Sequence, residues 1–392
     1  MNIAAAVSGG MDSLLALALL REQGHEVLAV HGFFLPGKDE RAAEALGRQC
    51  AALGVPFLAL DLRARFEAEV AAPFALAWAR GETPNPCARC NPAMKFGALF
   101  DAAREHAPTH LGKHMGTHMA THLATGHYAR LLDHPALGRL LTRGADRSKD
   151  QSYFLSLLPR EALARAVFPL GTMRKAEVPG ELARRGLEPP LPSESQEICF
   201  VPGDDYQAYL EARAARLGAP LPGPGAMVLA SEADEADEAN ENHEADGDGD
   251  RGERVVGRHG GLWRYTQGQR RGLGIAHSEP LYVLDKDVEA NRLIVGPRRM
   301  LGAVGCECGG VNLLVPVAHW PERVLVQTRY RQQAREARIT LEEGRMAVRF
   351  AEPRDRPAPG QVCAVYGGPG SALEGVVLAG AVIRGILEEG GA

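Results

Sequence analysis

The segment Ser8-Gly9-Gly10-Met11-Asp12-Ser13 constrains this chain more than any other. It stands between a short apolar run, residues 2–7, and the leucine-rich run Leu14–Leu20, which is the pattern strand, glycine turn, helix. Gly24 closes that helix, residues 26–32 read as a second strand, 42–53 as a helix and 55–60 as a third strand. Leu123–Thr125, before Gly126-His127, ends a further strand. Strands alternating with helices predict a parallel α/β sheet. The turn lacks the G-x-x-x-x-G-K-S/T spacing of a Walker loop, but the physics is similar. Its glycines let backbone N–H groups approach phosphate oxygens, and the helix N-terminus adds partial positive charge. Asp12 is badly placed for bare phosphate and well placed to share Mg²⁺ with it, while Ser8 and Ser13 offer hydroxyl donors.

A chain of 392 residues is too long for one ordinary core. The expected division is a catalytic α/β domain over 1–202, a small central domain over 203–277 and a C-terminal β-barrel over 278–392. Residues 160–187 read as helical and charged, and Tyr206–Leu217 as another helix. After residue 255, short alternating runs (Leu281–Leu284, Leu293–Val295, Val324–Thr328, Ala347–Phe350, Val376–Ile383) are separated by Gly, Pro and Asn, as in a small barrel. Residues 231–254 hold eleven acidic residues against Arg251 and Arg254 and almost no large apolar group. Such a stretch is expected to be a disordered surface loop, most simply a solubilising insertion. Without its net −9 the overall −5 becomes +4, a mildly basic body compatible with a nucleic-acid partner.

The seven cysteines (50, 87, 90, 199, 306, 308, 363) are few and odd in number, which argues against a disulfide framework. In Thr83-Pro84-Asn85-Pro86-Cys87-Ala88-Arg89-Cys90-Asn91, two prolines set a rigid approach to a Cys-x-x-Cys turn. Arg89 and Lys95 are expected to favour thiolate over thiol there. Ser195-Gln196-Glu197-Ile198-Cys199-Phe200 offers a third cysteine; zinc, iron–sulfur and redox sites all use such sets. Cys50, Cys306, Cys308 and Cys363 lack comparable surroundings and read as packing residues.

The glycine loop resembles the pyrophosphatase (PP) loop of enzymes that cleave ATP to AMP and pyrophosphate. With the segments Thr83–Phe96, Thr125–Arg130, Lys149–Leu155, Ser195–Phe200, Thr266–Gly274, Tyr282–Asp287, Thr328–Arg331 and Pro359–Gln361, in order along nearly the whole chain, the sequence resembles the tRNA-specific 2-thiouridylases. That resemblance implies thiolation of position 2 of the wobble uridine 34 in tRNAs for Lys, Glu and Gln. ATP would adenylate the C2 carbonyl and sulfur would replace its oxygen. It implies ATP binding by Ala6, Val7, Ser8, Gly9, Gly10, Met11, Asp12 and Ser13, with Gly32 and Gly126 near the adenosine. Cys90 matches the attacking cysteine and Cys199 the persulfide carrier. His127, Lys149, Asp150, Gln151, Arg329, Tyr330 and Gln361 match positions that meet tRNA, and Tyr330 has a ring on which an extruded base would stack. The implied partners are tRNA and a sulfur donor such as a cysteine desulfurase or relay protein.

Three features depart from that pattern. Many relatives have Asp where this chain has Cys87. Cys87, Cys90 and Cys199 therefore stand as possible ligands of a [4Fe–4S] cluster with one open iron, beside the alternative of a Cys199 persulfide that Cys90 resolves to a disulfide. The histidines 106, 110, 114, 118 and 122 recur every fourth residue, which on one helix would make a metal-binding face. Pro108, Gly112 and Gly116 oppose that helix, and a repeated surface insertion is the expectation. The connection after Gly32 is also short. No apolar run reaches membrane-spanning length, and the first residues enter the motif directly, so a cytoplasmic location is expected. A PP-loop ligase for small carboxylates would have no need of Cys90 or Cys199, and a passive RNA-docking metalloprotein none of Asp12.

Overall fold

The computed structural model describes residues 1–392 except 36–39, 111–119, 191–197, 202, 204, 231–253 and 388–392. The acidic stretch up to residue 253, Ser195-Gln196-Glu197, His114 and His118 thus lie outside the described residues.

The N-terminal unit is a parallel sheet of β1 (Asn2–Ala6), β2 (Glu26–Phe33), β3 (Phe57–Asp61), β4 (His122–Ala124) and β7 (Ala166–Val167), in the order β3-β2-β1-β4-β7. The strands are short and apolar because both faces are covered, and Ile3, Ala4, Leu28, Ala29 and Val30 are fully buried. Helices α1 (Met11–Glu22) and α2 (Glu40–Ala52) supply the crossovers between β1, β2 and β3. The strand order reverses between β1 and β4, and in such sheets the crevice at the carboxyl ends of the strands there takes the ligand. A hairpin of β5 (Ala129–His134) and β6 (Gly138–Arg143) follows β4 directly. The region read as helical over 160–187 is broken: helices Arg160–Ala164 and Val178–Arg184 flank β7 and the turn leading to Lys175.

A second sheet has the order β10-β11-β8-β9, from β8 (Gly225–Leu229), β9 (Arg254–His259), β10 (Leu281–Asp287) and β11 (Arg292–Pro297). The third unit is a closed barrel of β12 (Gly302–Leu313), β13 (Val324–Gln327), β14 (Arg335–Glu342), β15 (Arg345–Asp355), β16 (Val362–Gly367) and β17 (Val377–Leu387). Closure leaves no free sheet edge. The pairing corrects the division at 277/278, because Leu293–Val295 pair with Met227–Leu229 and β10 pairs with β11. Alternation identifies a strand but not the sheet it joins; the barrel strands begin at Gly302.

The histidine run is divided too. His106 lies on the helix Phe100–His110 and His122 on β4, so no single helix carries all five residues. No helix of the described residues is long and apolar enough to cross a membrane.

Candidate active site

The loop after β1 is held by its own hydroxyls. The Ser8 backbone N–H donates to Ser13 Oγ at 3.1 Å, and Ser13 Oγ donates to the Gly10 carbonyl at 3.0 Å. Gly9 has φ +87°, which a side chain would resist, and Gly10 caps α1 in an extended conformation. Gly126, at the end of β4, closes the far side. A Cβ there would lie 2.9 Å from the carbonyl carbon of Asp12 and 3.0 Å from the Ser13 nitrogen. The two strands that flank the switch point thus place Gly126 directly against the loop.

Asp12 at the start of α1 is tied down from two distant elements. Lys175 Nζ donates to both its oxygens, at 2.8 and 2.6 Å, and the Tyr128 hydroxyl donates to Oδ1 at 2.6 Å. The Lys175 backbone N–H in turn donates to Asp146 Oδ2. A lysine against the carboxylate at a helix N-terminus adds a charge-assisted contact there. His31, at the carboxyl end of β2, donates from Nδ1 to the Val7 carbonyl at 2.7 Å, and its buried Nε2 has no hydrogen-bond partner among the described residues.

Cys87 and Cys90 sit on the helical stretch that starts at Pro86, and Cys199 lies in a turn far along the chain. The Asn85 side chain caps that stretch by accepting from the Ala88 N–H, and the helix widens to the i→i+5 bonding of a π-helix over Asn91–Leu99. Cys90 is half-buried, whereas Cys87 and Cys199 expose surface. Cys87 and Cys90 each feel the charge of Cys199, so the three thiols share one neighbourhood. Burial pushes the Cys87 thiol up to about 11 and the Cys90 thiol up to about 12, against the opposing pull of Lys95. Cys87 exposes part of its residue surface while burial still acts on its thiol. The expected thiolates are therefore corrected to thiols. Arg89, the other expected activator, donates its Nε–H to the Glu69 carbonyl.

One path of contacts joins the two halves of the site. His127 follows Gly126, is buried, and has Nδ1 2.7 Å from Thr125 Oγ1 and Nε2 3.4 Å from Lys95 Nζ. Burial, then Lys95, holds the His127 imidazole well below its ordinary pKa, so it is neutral and accepts at Nε2. All three units meet just before Cys87. The Thr83 N–H donates to the Pro359 carbonyl and Gln361 Nε2 to the Thr83 carbonyl, both at 2.7 Å. Thr83 Oγ1 reaches Thr266 Oγ1 at 3.4 Å. Beside this junction is a cavity of about 410 Å³ lined by Trp78, Thr83, Ile198, Tyr206, Trp263 and Gln361.

Three family models match this chain: the tRNA methyl transferase HUP domain over residues 1–203, the tRNA methyl transferase PRC-barrel domain over 244–297, and the Aminomethyltransferase beta-barrel domain over 306–383. Among full-length relatives, a tRNA-specific 2-thiouridylase MnmA of Nitratidesulfovibrio vulgaris strain Miyazaki F is 53% identical, covering 98% of this chain and 99% of its own. Proteins of the same name from Lawsonia intracellularis (44% identical, 99% and 100% covered) and Roseiflexus castenholzii (39%, 94% and 96%) are similarly collinear. The chain belongs to the tRNA-specific 2-thiouridylase family.

In this thiouridylase-family chain the residues matched to tRNA contacts fall into two groups. Asp150, Gln151 and His127 are used by the fold itself: Asp150 accepts from the Gly144 and Ser152 N–H groups, and Gln151 Oε1 from the Tyr128 N–H. Lys149 is half-buried beside them, and Gln361 is engaged at the junction. Arg329 is exposed although one of its nitrogens reaches the Gln267 carbonyl at 3.3 Å. The Tyr330 ring lies with its centroid 4.3 Å from that of Phe154, tilted against it. Sequence reading missed Lys175, the Tyr128 hydroxyl, Asp146 and His31. The only signal for Tyr128 was its place two residues after Gly126.

Proposed function

We propose that this protein is an ATP-dependent tRNA-uridine 2-sulfurtransferase, an enzyme that makes 2-thiouridine at the wobble uridine 34 of tRNAs for Lys, Glu and Gln. The observation that carries this reading is the continuous path from Asp12 and Ser13 through Gly126, His127 and Lys95 to Cys87 and Cys90. That path supports reading the loop as ATP-activating and the thiols as sulfur-handling parts of one site. ATP binds on residues 6–13 with Gly32 and Gly126 at the adenosine, and Asp12 holds Mg²⁺ against the phosphates. Uridine O2 is a poor leaving group; attack on the α-phosphate converts it to an adenylate, with pyrophosphate released, and sulfur then displaces AMP at C2. Lys175, beside Asp12, offsets the charge developing on the phosphates. Lys149, Arg329 and Tyr330 hold the anticodon arm.

Two routes deliver the sulfur. In the first, Cys199 carries a persulfide. Cys90 thiolate attacks the inner sulfur, the outer sulfur goes to C2, and a Cys90–Cys199 disulfide remains for reduction by an external thiol. In the second, Cys87, Cys90 and Cys199 hold a [4Fe–4S] cluster, which when bound supplies an iron open to sulfide. The donor set is compatible with the cluster: three partly exposed cysteines act on one another electrostatically, and no carboxylate stands at position 87. The desolvated thiols favour this second route, since a thiol near 12 is a weak nucleophile at neutral pH whereas metal ligation removes its proton outright. The sulfur comes from a cysteine desulfurase or a relay protein, and the reaction is cytoplasmic.

The test is thiolation of unmodified tRNA with ATP and a sulfide source, identifying the product nucleoside by mass and counting iron. Loss of iron and activity together in Cys87→Ala, Cys90→Ala and Cys199→Ala supports the cluster. An active, iron-free Cys87→Ala beside two dead variants supports the persulfide. A wild-type protein that never forms 2-thiouridine ends the proposal.

A further inference from the structure

The four cysteines outside the crevice read as packing residues, and for Cys50, buried in the N-terminal sheet domain, the structure agrees. The other three converge. Cys306 and Cys308 on β12 and Cys363 on β16 have all their sulfurs within 4.8 Å of one another inside the barrel, with Cys306 Sγ 3.8 Å from Cys308 Sγ. Alternation aims both β12 cysteines inward while Glu307 between them stays exposed. A bulge on the neighbouring β17 faces this pair. Glu307 pairs with Gly385 and Cys308 with Ile383, so Arg384 is left over. The three residues are 2% exposed or less, and their walls are apolar, including Val326, Val348 and Ala381. Arg354 acts electrostatically on Cys306 and Cys363, and its buried Nε has no hydrogen-bond partner among the described residues.

We propose that Cys306, Cys308 and Cys363 form a structural zinc site within the C-terminal barrel. A zinc–sulfur bond of about 2.3 Å sets sulfurs roughly 3.8 to 4.0 Å apart in tetrahedral or trigonal arrays, which is the spacing found between Cys306 and Cys308. Three thiolates and Zn²⁺ sum to one negative charge, and the Arg354 guanidinium offsets it in surroundings where an unbalanced charge is expensive. Soft sulfur donors select such an ion over Mg²⁺ or Ca²⁺. Because the barrel is closed, the ion enters as the barrel folds.

The inference is independent of the crevice thiols and is tested without them. A full-length Cys87→Ser/Cys90→Ser/Cys199→Ser chain is purified from zinc-supplemented cells, dialysed against chelator and analysed for metal. The expected result is one zinc per chain with about three sulfur neighbours by X-ray absorption. Adding Cys308→Ala, a small change in a packed core, abolishes the zinc while far-UV circular dichroism is retained. As a second measurement, the triple-serine chain is refolded with one equivalent of Cd²⁺ and read for sulfur-to-cadmium charge-transfer absorption. A folded triple-serine chain without zinc and without that band overturns the proposal, as does zinc that persists unchanged in Cys308→Ala.

Discussion

Gly126 is the narrowest fit in the nucleotide crevice, and Gly126→Ala tests whether the loop and β4 form one rigid unit. The added Cβ would meet the Asp12 carbonyl carbon at 2.9 Å, the Ser13 nitrogen at 3.0 Å and the Asp12 oxygen at 3.1 Å, all backbone atoms that no rotamer change can move aside. Ordinary contact begins at 3.4 Å, so loop and strand must part by about half an ångström. Displacement on that scale spends the whole tolerance of a preorganised site, and a misplacement of about 1 Å lowers rates about 100-fold. Overpacking costs about 1–3 kcal/mol of stability. The expected result is a loss of kcat/KM for ATP of between about tenfold and 100-fold, with a folded protein and a lower Tm. The assay is tRNA-dependent pyrophosphate release beside circular dichroism. Gly180→Ala is the control, since a Cβ there meets nothing within 4 Å among the described residues and the position is helical. Activity within twofold of wild type in Gly126→Ala would refute the rigid-unit argument.

Tyr128→Phe removes a 2.6 Å hydrogen bond to a carboxylate, worth about 1.5–3 kcal/mol, and is expected to lower ATP turnover while leaving tRNA affinity unchanged; equal loss in both would show a general defect. In the metal-free protein, alkylation of Cys90 by iodoacetamide is expected to keep accelerating toward pH 12, and Lys95→Met to slow it further; a rate that levels off by pH 9 would contradict the burial argument. Lys286 is 8% exposed, donates to the Gly81 carbonyl at 2.9 Å and is brought by burial down to about 8 from 10.5. Between those values the unfolded chain binds more protons, so stability rises with pH from about 8 to 10.5, by up to about 3 kcal/mol. Denaturant unfolding at pH 7 and 10 reads the rise, and Lys286→Met is expected to flatten it; an unchanged slope in the variant would assign the effect elsewhere.

What was legible in the sequence was local or periodic. The Ser8–Ser13 loop declared itself because strand, glycines and helix are contiguous, and Tyr206–Leu217 is a helix at the residues read. The barrel followed from alternation punctuated by Gly and Pro. What was hidden depends on where distant segments meet. Lys175 reaches Asp12 across 163 residues, through a turn whose own sequence gives no hint of the crevice. The state of Cys90 was misjudged for a related reason: Lys95 is visible five residues away, but the burial that outweighs it comes from packed elements contributed along the whole domain. The same asymmetry explains Cys363. Read alone it is a small apolar residue in a strand, and Cys306 and Cys308 are two more; only the closure of β16 through β17 onto β12 makes them one chemical group. A cysteine in a barrel strand therefore cannot be classed as packing or ligand from its neighbours in sequence, because the deciding neighbour lies two strands away around a ring.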